Sequence, residues 1–243
     1  MKAFTTYEFK NGKIADLDRQ FPSYLSAWQE GVALAETDTH FLYCMKTEST
    51  AGVATLEFQD RLGNYHTYPM VAGMYAVVPG SAFIAGGRGL IMSRQNWLGL
   101  FSIGGPAEQE GRLKYIDGCT DSLLISPIKM GDPCLNLLYF PPGIDQTRHT
   151  HPSDRIGMVM SGQGKCHYWE DDIEHIIRLT TNLIFCIHTD GIHKFSTPYG
   201  DHMRVLAYHP DSDYGPTDQF HPMINRTIVD GVSANQLPDI RTK

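Results

Sequence analysis

Apolar positions in this chain come in short runs separated by turn-forming residues, a pattern that predicts a protein built of strands. The runs 41–45, 52–58 and 74–78 supply β-rich segments to the first half, each bounded by Gly, Pro, Asp or Asn. The runs 122–126, 134–140, 156–160, 183–187 and 203–208 repeat the pattern in the second half. Short strands at this spacing favour a sandwich or barrel over a parallel α/β sheet. Helical periodicity is weak: residues 24–35 predict one short helix, and the segment from Thr217 onward another.

The stretch 104–112, rich in Gly and polar residues with one Pro, interrupts the strands and reads as a linker. This predicts an N-terminal barrel over residues 1–105, a linker over 106–118, a second barrel over 119–215 and a polar tail over 216–243. Two barrels packed together would bury sheet faces that neither covers alone.

Composition adds boundaries rather than detail. Hydrophobic residues make up 42% and charged residues 19%, the proportions of an ordinary globular protein. A formal charge of -7 argues against a nucleic-acid surface, which needs clustered Lys and Arg. No apolar run reaches membrane-spanning length, and residues 1–10 lack the apolar core of a signal peptide. The expectation is a soluble cytoplasmic protein with no nucleic-acid or membrane partner, whose sheet edges would allow a homodimer. The cysteines, Cys44, Cys119, Cys134, Cys166 and Cys186, form no CxxC pair and are expected as reduced, buried thiols. Cys166 and Cys186, in apolar segments, read as core packing.

The candidate chemistry lies in histidines. His149 and His151 are separated by one residue, so in an extended chain both face the same side and converge on one point. The segment closes on Gly157 and the turn Ser161-Gly162-Gln163-Gly164, which lets the chain fold back. His193 arrives downstream, after the apolar run 183–187. Neutral imidazole is a common ligand for iron, nickel, copper, zinc and manganese.

Here the sequence resembles the cupin superfamily. Gly143, His149, His151 and Gly162 match the spacing of its first motif, and His193 matches the ligand position of its second. In that second motif Asn182, His188, Asp190 and Thr197 stand where Gly, Pro, Gly and Asn are usual. In the N-terminal half, Gly73 and Pro79 reproduce part of the second motif, but the ligand position falls on Ile84. The resemblance implies an all-β bicupin of tandem jelly-roll barrels, the first degenerate and the second holding one divalent metal through His149, His151 and His193.

Arg155 occupies the position where the family's Glu supplies a fourth ligand. A guanidinium has no lone pair for a cation, so three neutral histidines with open positions are expected instead. Arg155 then either presents its fork to a substrate carboxylate or pairs with an acid at the rim, such as Asp154 or Asp145. His188 is open between a fourth ligand, an acid–base group and a surface residue, and one of His167, His202 and His209 is a candidate to line the pocket.

The ligand set resembles the iron sites of gentisate-type and thiol dioxygenases. It implies an Fe(II) dioxygenase acting on a small carboxylate-bearing phenolic or thiol substrate, with Arg155 and His188 as its catalytic side chains. The alternative is a Ni-, Mn- or Zn-dependent isomerase, decarboxylase or lyase on a small acid, with His188, His202 or Tyr139 moving the proton. A further alternative is a non-enzymatic ligand-binding cupin.

Overall fold

Strict alternation explains the outer strands of the first half. In Ala54–Gln59 the residues Ala54, Leu56 and Phe58 are buried while Glu57 and Gln59 face out, as period-two burial on one sheet face requires. A computed structural model describes residues 2–17, 20–45 and 53–242. Its first half holds a four-stranded sheet ordered Val32–Leu34, Ala82–Ala85, Ala54–Gln59 and Tyr65–Met70. Against it stands a six-stranded sheet ordered Ser102–Gly104, Tyr75–Pro79, Thr39–Cys44, Gly89–Arg94, Ser23–Trp28 and Gly12–Leu17. The expected run 52–58 begins at Ala54, and Gly52 lies outside the described residues.

Residues 24–35 form no helix; they contribute the strands Ser23–Trp28 and Val32–Leu34. Ser23–Trp28 is an interior strand of its sheet with buried residues on both faces, so small Ser and Ala residues hide the alternation that would have marked it. The C-terminal helix exists but is only Pro222–Arg226, its first turn capped by the His221 ring, which accepts from the backbone N–H of Met223 and Ile224.

The second half is organised around one long strand, Arg155–Glu170. Its first part pairs with Ile184–Ile187 and Met203–His209; its second pairs with Ile173–Thr180 and His193–Ser196. The change of partner falls at a register shift between Val159 and Ser161, next to Gly162. Gly162 has φ +74°, and a Cβ there would collide with the His202 carbonyl oxygen, so the bend requires glycine. Cys134–Phe140, Thr120–Ile125 and Leu113–Lys114 complete this sheet on one side. On its other side lies Phe4–Tyr7, which pairs antiparallel with Ile184–Ile187. The start of the chain therefore belongs to the sheet of the second half, whereas the division of the sequence near residue 105 assigned it to the first.

Three apolar cores follow. Trp28, Leu42, Leu56, Met70 and Ile84 fill the inside of the first barrel, and Phe140, Cys166, Phe185 and Phe195 fill the second. Between them Leu25, Phe41 and Met92 of the first half pack on Leu135, Met158, Leu206 and Tyr208 of the second. The barrels thus share an apolar interface, in which the Phe41 and Tyr208 rings lie 5.2 Å apart. All five cysteines are buried thiols, outside any disulfide. Among the described residues no helix is long and apolar enough to cross a membrane.

Candidate metal centre

His149 and His193 are locked to each other by an isolated antiparallel bridge: His149 N–H donates to the His193 carbonyl at 2.9 Å, and His193 N–H to the His149 carbonyl at 3.0 Å. His151 is tied alongside, its carbonyl accepting from the Asp190 N–H at 2.8 Å. These backbone bonds bring the three rings together, with centroids 4.4 to 5.1 Å apart. One nitrogen from each ring lies within 4.8 Å of the others.

Ring orientation is set from behind. His149 Nδ1–H donates to the Thr147 carbonyl at 2.8 Å, and His193 Nδ1–H to the Gly191 carbonyl at 2.9 Å. A carbonyl can only accept, so the proton sits on Nδ1 and each Nε2 lone pair is left for a ligand. His193 is fully buried, and its Nε2 has no hydrogen-bond partner among the described residues. A buried nitrogen in that state is costly unless something fills the place. Burial, with the Arg155 charge and the neighbouring rings, pushes His151 down to about 2, and burial pushes His193 down to about 4. Imidazoles that stay neutral at ordinary pH are ready donors, so the residues fit a divalent metal.

His149 and His151 open on a cavity of about 100 Å³ walled by Leu138, Phe140, Phe185, Ile187, Phe195 and Val205. A wider groove of about 570 Å³ adjoins it and shares Tyr115, Asp121, Asn136, His151, Arg155 and His209 with it. Gly157 makes room for this cavity, because a Cβ there would strike the Phe185 ring.

Arg155 lines both spaces. Arg155 pairs with an acid, though not with Asp154 or Asp145: the NH1 group lies 3.4 Å from Asp211 Oδ1 and also donates to the Ser153 hydroxyl. Its Nε is buried without a hydrogen-bond partner among the described residues.

His188 is not at the cavity. Phe185 and Ile187 face the cavity, so Cys186 and His188 point to the opposite side of the sheet. There the His188 ring bonds the Thr5 hydroxyl at 2.7 Å and sits beside Cys186 and Asp154. Tyr139 is excluded by the same parity, since Leu138 and Phe140 face inward. The His202 ring lies tilted against Tyr139, and His167 pairs with Glu174 at 2.8 Å. His209 does line the cavity, and burial followed by the charges of Arg155 and His151 holds it well below its ordinary value.

Sequence reasoning missed Asp121. It sits in Thr120–Ile125, facing the cavity, and its Oδ1 is buried without a hydrogen-bond partner among the described residues. Burial raises its carboxyl to about 6. Nothing in the local sequence sets it apart from an ordinary acidic strand residue.

No protein-family model matches the chain, and no curated protein matches it by sequence. Solved structures do. A Bacillus subtilis oxalate decarboxylase structure concerned with Mn(II) centres aligns over 99% of this chain and 86% of its own, with a TM-score of 0.57 at 10% identity. A point-substituted form of the Bacillus subtilis enzyme covers 93% and 81%, with a TM-score of 0.56 at 10% identity. A Lactobacillus farciminis oxalate decarboxylase formate complex covers 88% and 87%, with a TM-score of 0.55 at 9% identity. At such identities the likeness is one of fold. These neighbours are decarboxylases, so the resemblance to gentisate-type and thiol dioxygenases gains no support from them. Strands, barrels and neighbours agree on a bicupin fold, with the histidine cluster in the second barrel.

Proposed function

We propose that the second barrel is a metal-dependent decarboxylase of a small, oxalate-like carboxylic acid, with Mn(II) bound by His149, His151 and His193. The observation that carries this reading is Asp121, whose Oδ1 is buried without a hydrogen-bond partner among the described residues and which lines the same cavity as Arg155, His149 and His151. The solved neighbours, one of them described by its Mn(II) centres, support the reaction class and the metal. A divalent ion in this site supplies a Lewis acid that draws electrons from a bound carboxylate or carbonyl.

The side chains divide the remaining work. Arg155 offers its unpartnered edge to a substrate carboxylate and sets its orientation. The carbon–carbon bond breaks, carbon dioxide leaves, and the electron pair left on carbon takes a proton from Asp121. Burial raises that carboxyl toward about 6, so it carries the proton in weakly acid solution and regains it from water. The apolar wall keeps bulk water away, and the cavity of about 100 Å³ limits the substrate to a small acid. The first barrel serves as scaffold, since Ile84, at the ligand position of its motif, is fully buried in apolar core.

The test is reconstitution with Mn(II) and a screen of oxalate, malonate and small keto acids for carbon dioxide release, with oxygen uptake recorded in parallel. Release without stoichiometric oxygen uptake, lost in Asp121→Asn at unchanged metal content, supports the reading. The three-histidine set, lacking a carboxylate ligand, favours the iron dioxygenase as second reading. Stoichiometric oxygen consumption on phenolic or thiol acids with Fe(II) would establish it and overturn the first.

A further inference from the structure

The face of the second barrel turned away from the cavity carries another group of donors. Cys186 and His188 are two residues apart at the end of Ile184–Ile187, so they share a face. The pairing of Arg155 with Ile187 sets the preceding residue, Asp154, opposite His188. Cys186 Sγ lies 3.7 Å from His188 Nδ1, and Asp154 Oδ1 lies 3.7 Å from the same nitrogen. All three atoms are within 4.8 Å of one another.

The Cys186–His188 spacing is that of a hydrogen bond to sulfur, which puts the thiol and the ring nitrogen in direct contact. An imidazole–carboxylate contact at 3.7 Å is beyond hydrogen-bond range. With zinc bonds of about 2.3 Å to sulfur and about 2.0 Å to nitrogen or oxygen, a tetrahedron has edges of roughly 3.5 Å for S···N and 3.3 Å for N···O. The observed separations exceed those edges by only a few tenths of an ångström, a gap that bound metal closes by drawing the donors in.

The surroundings orient the donors. His188 Nε2 bonds the Thr5 hydroxyl at 2.7 Å, which leaves Nδ1 as the nitrogen facing Cys186 and Asp154. The Asp154 carboxylate accepts from the Thr189 N–H at 2.9 Å and from its hydroxyl at 3.3 Å, fixing its direction. Such outer partners are what hold metal ligands in place. Cys186 is fully buried and Asp154 nearly so, while the His188 side chain retains 28% exposure, so the fourth position faces water.

We propose that Asp154, Cys186 and His188 form a second metal site, specific for zinc or a similarly thiophilic divalent ion and separate from the three-histidine centre. A thiolate donor selects such ions, whereas three imidazoles with open positions accept manganese or iron. On binding, the Cys186 thiol gives its proton to the buffer and the ion takes the sulfur lone pair. Because Thr5 lies on Phe4–Tyr7, the ion also fastens that strand to the second barrel. The site does not depend on the decarboxylase reading.

Cobalt(II) titration of the metal-free full chain tests it, because a thiolate ligand gives a near-ultraviolet charge-transfer band that an all-histidine site cannot give. The wild type should bind about two ions per chain and show the band, and His151→Ala should keep about one ion and the band. Cys186→Ser and His188→Ala should each keep about one ion and lose the band; His188→Ala guards against misfolding of the buried-cysteine variant. A wild type without the band, or Cys186→Ser and His188→Ala proteins that bind as much cobalt as the wild type, would overturn the proposal. Loss of decarboxylation with the band intact would count against the other centre alone.

Discussion

Replacing Asp121 by Asn should stabilise the metal-free protein at alkaline pH and leave it little changed in acid. Burial raises the carboxyl from its ordinary 3.8 to about 6, which sets about 3 kcal/mol against the ionised form in the folded state. Asp121 is only partly enclosed, and solvent screening reduces this to about 1–2 kcal/mol. The folded chain holds the proton more tightly than the unfolded chain, so stability falls as pH rises from about 4 to about 6. Above that window the whole penalty is present; below it there is none. The amide carries no such penalty, so the variant should melt about 2–6 °C above the wild type near pH 8 and within about 1 °C of it near pH 4. Urea or thermal unfolding in chelator at the two pH values measures this, since a bound cation would itself pull the carboxyl down. The titratable groups lining the groove with Asp121 are Tyr115, Cys134, His151, Arg155, His209, Asp211, Asp213 and Tyr214, so an ion pair with Arg155 is the competing account. Equal stability at both pH values, or a less stable variant near pH 8, would refute the burial argument in favour of that pair.

Gly157→Ala should cost about 1–3 kcal/mol of stability, because the new Cβ meets the fully buried Phe185 ring; denaturant midpoints report it. Ile84→Ala should cost about 2–4 kcal/mol while manganese content stays unchanged, separating the first barrel's core from the metal centre. Arg155→Gln should weaken malonate binding by about 1.5–3 kcal/mol, roughly tenfold to a hundredfold, with metal retained; calorimetry on the manganese form checks it. His193→Ala should abolish manganese retention by elemental mass spectrometry, because it removes a ligand nitrogen that is fully buried and, among the described residues, unpartnered.

Much of the fold was legible because apolar runs such as 134–140 and 203–208 are long enough to read as strands. Residues 24–35 were misread because a strand buried on both faces loses its alternation. The three histidines were legible through spacing: an i, i+2 pair needs only an extended backbone to converge, and the glycine at 162 needs only its positive φ. His188 is two residues from the buried Cys186, but which face of that strand meets the cavity is decided by pairing with segments far away in sequence. Asp121 is the harder case, since its unusual state comes from burial by the wall of the second barrel, and the Arg155 partner Asp211 lies 56 residues downstream.

The pairing of Phe4–Tyr7 with Ile184–Ile187 bears on how the chain is made. Thr5 and His188 are 183 residues apart in sequence, so Phe4–Tyr7 leaves the ribosome long before the strand it pairs with. Loop closure over that span is entropically late, and contacts of high sequence separation slow folding. In the interval Phe4–Tyr7 is the unpaired strand, open to pairing with another copy of the chain, which makes strand exchange the natural failure mode during synthesis. A substitution that weakens the pairing of Phe4–Tyr7 would favour such exchange, and yield rather than activity is where its effect would first be seen.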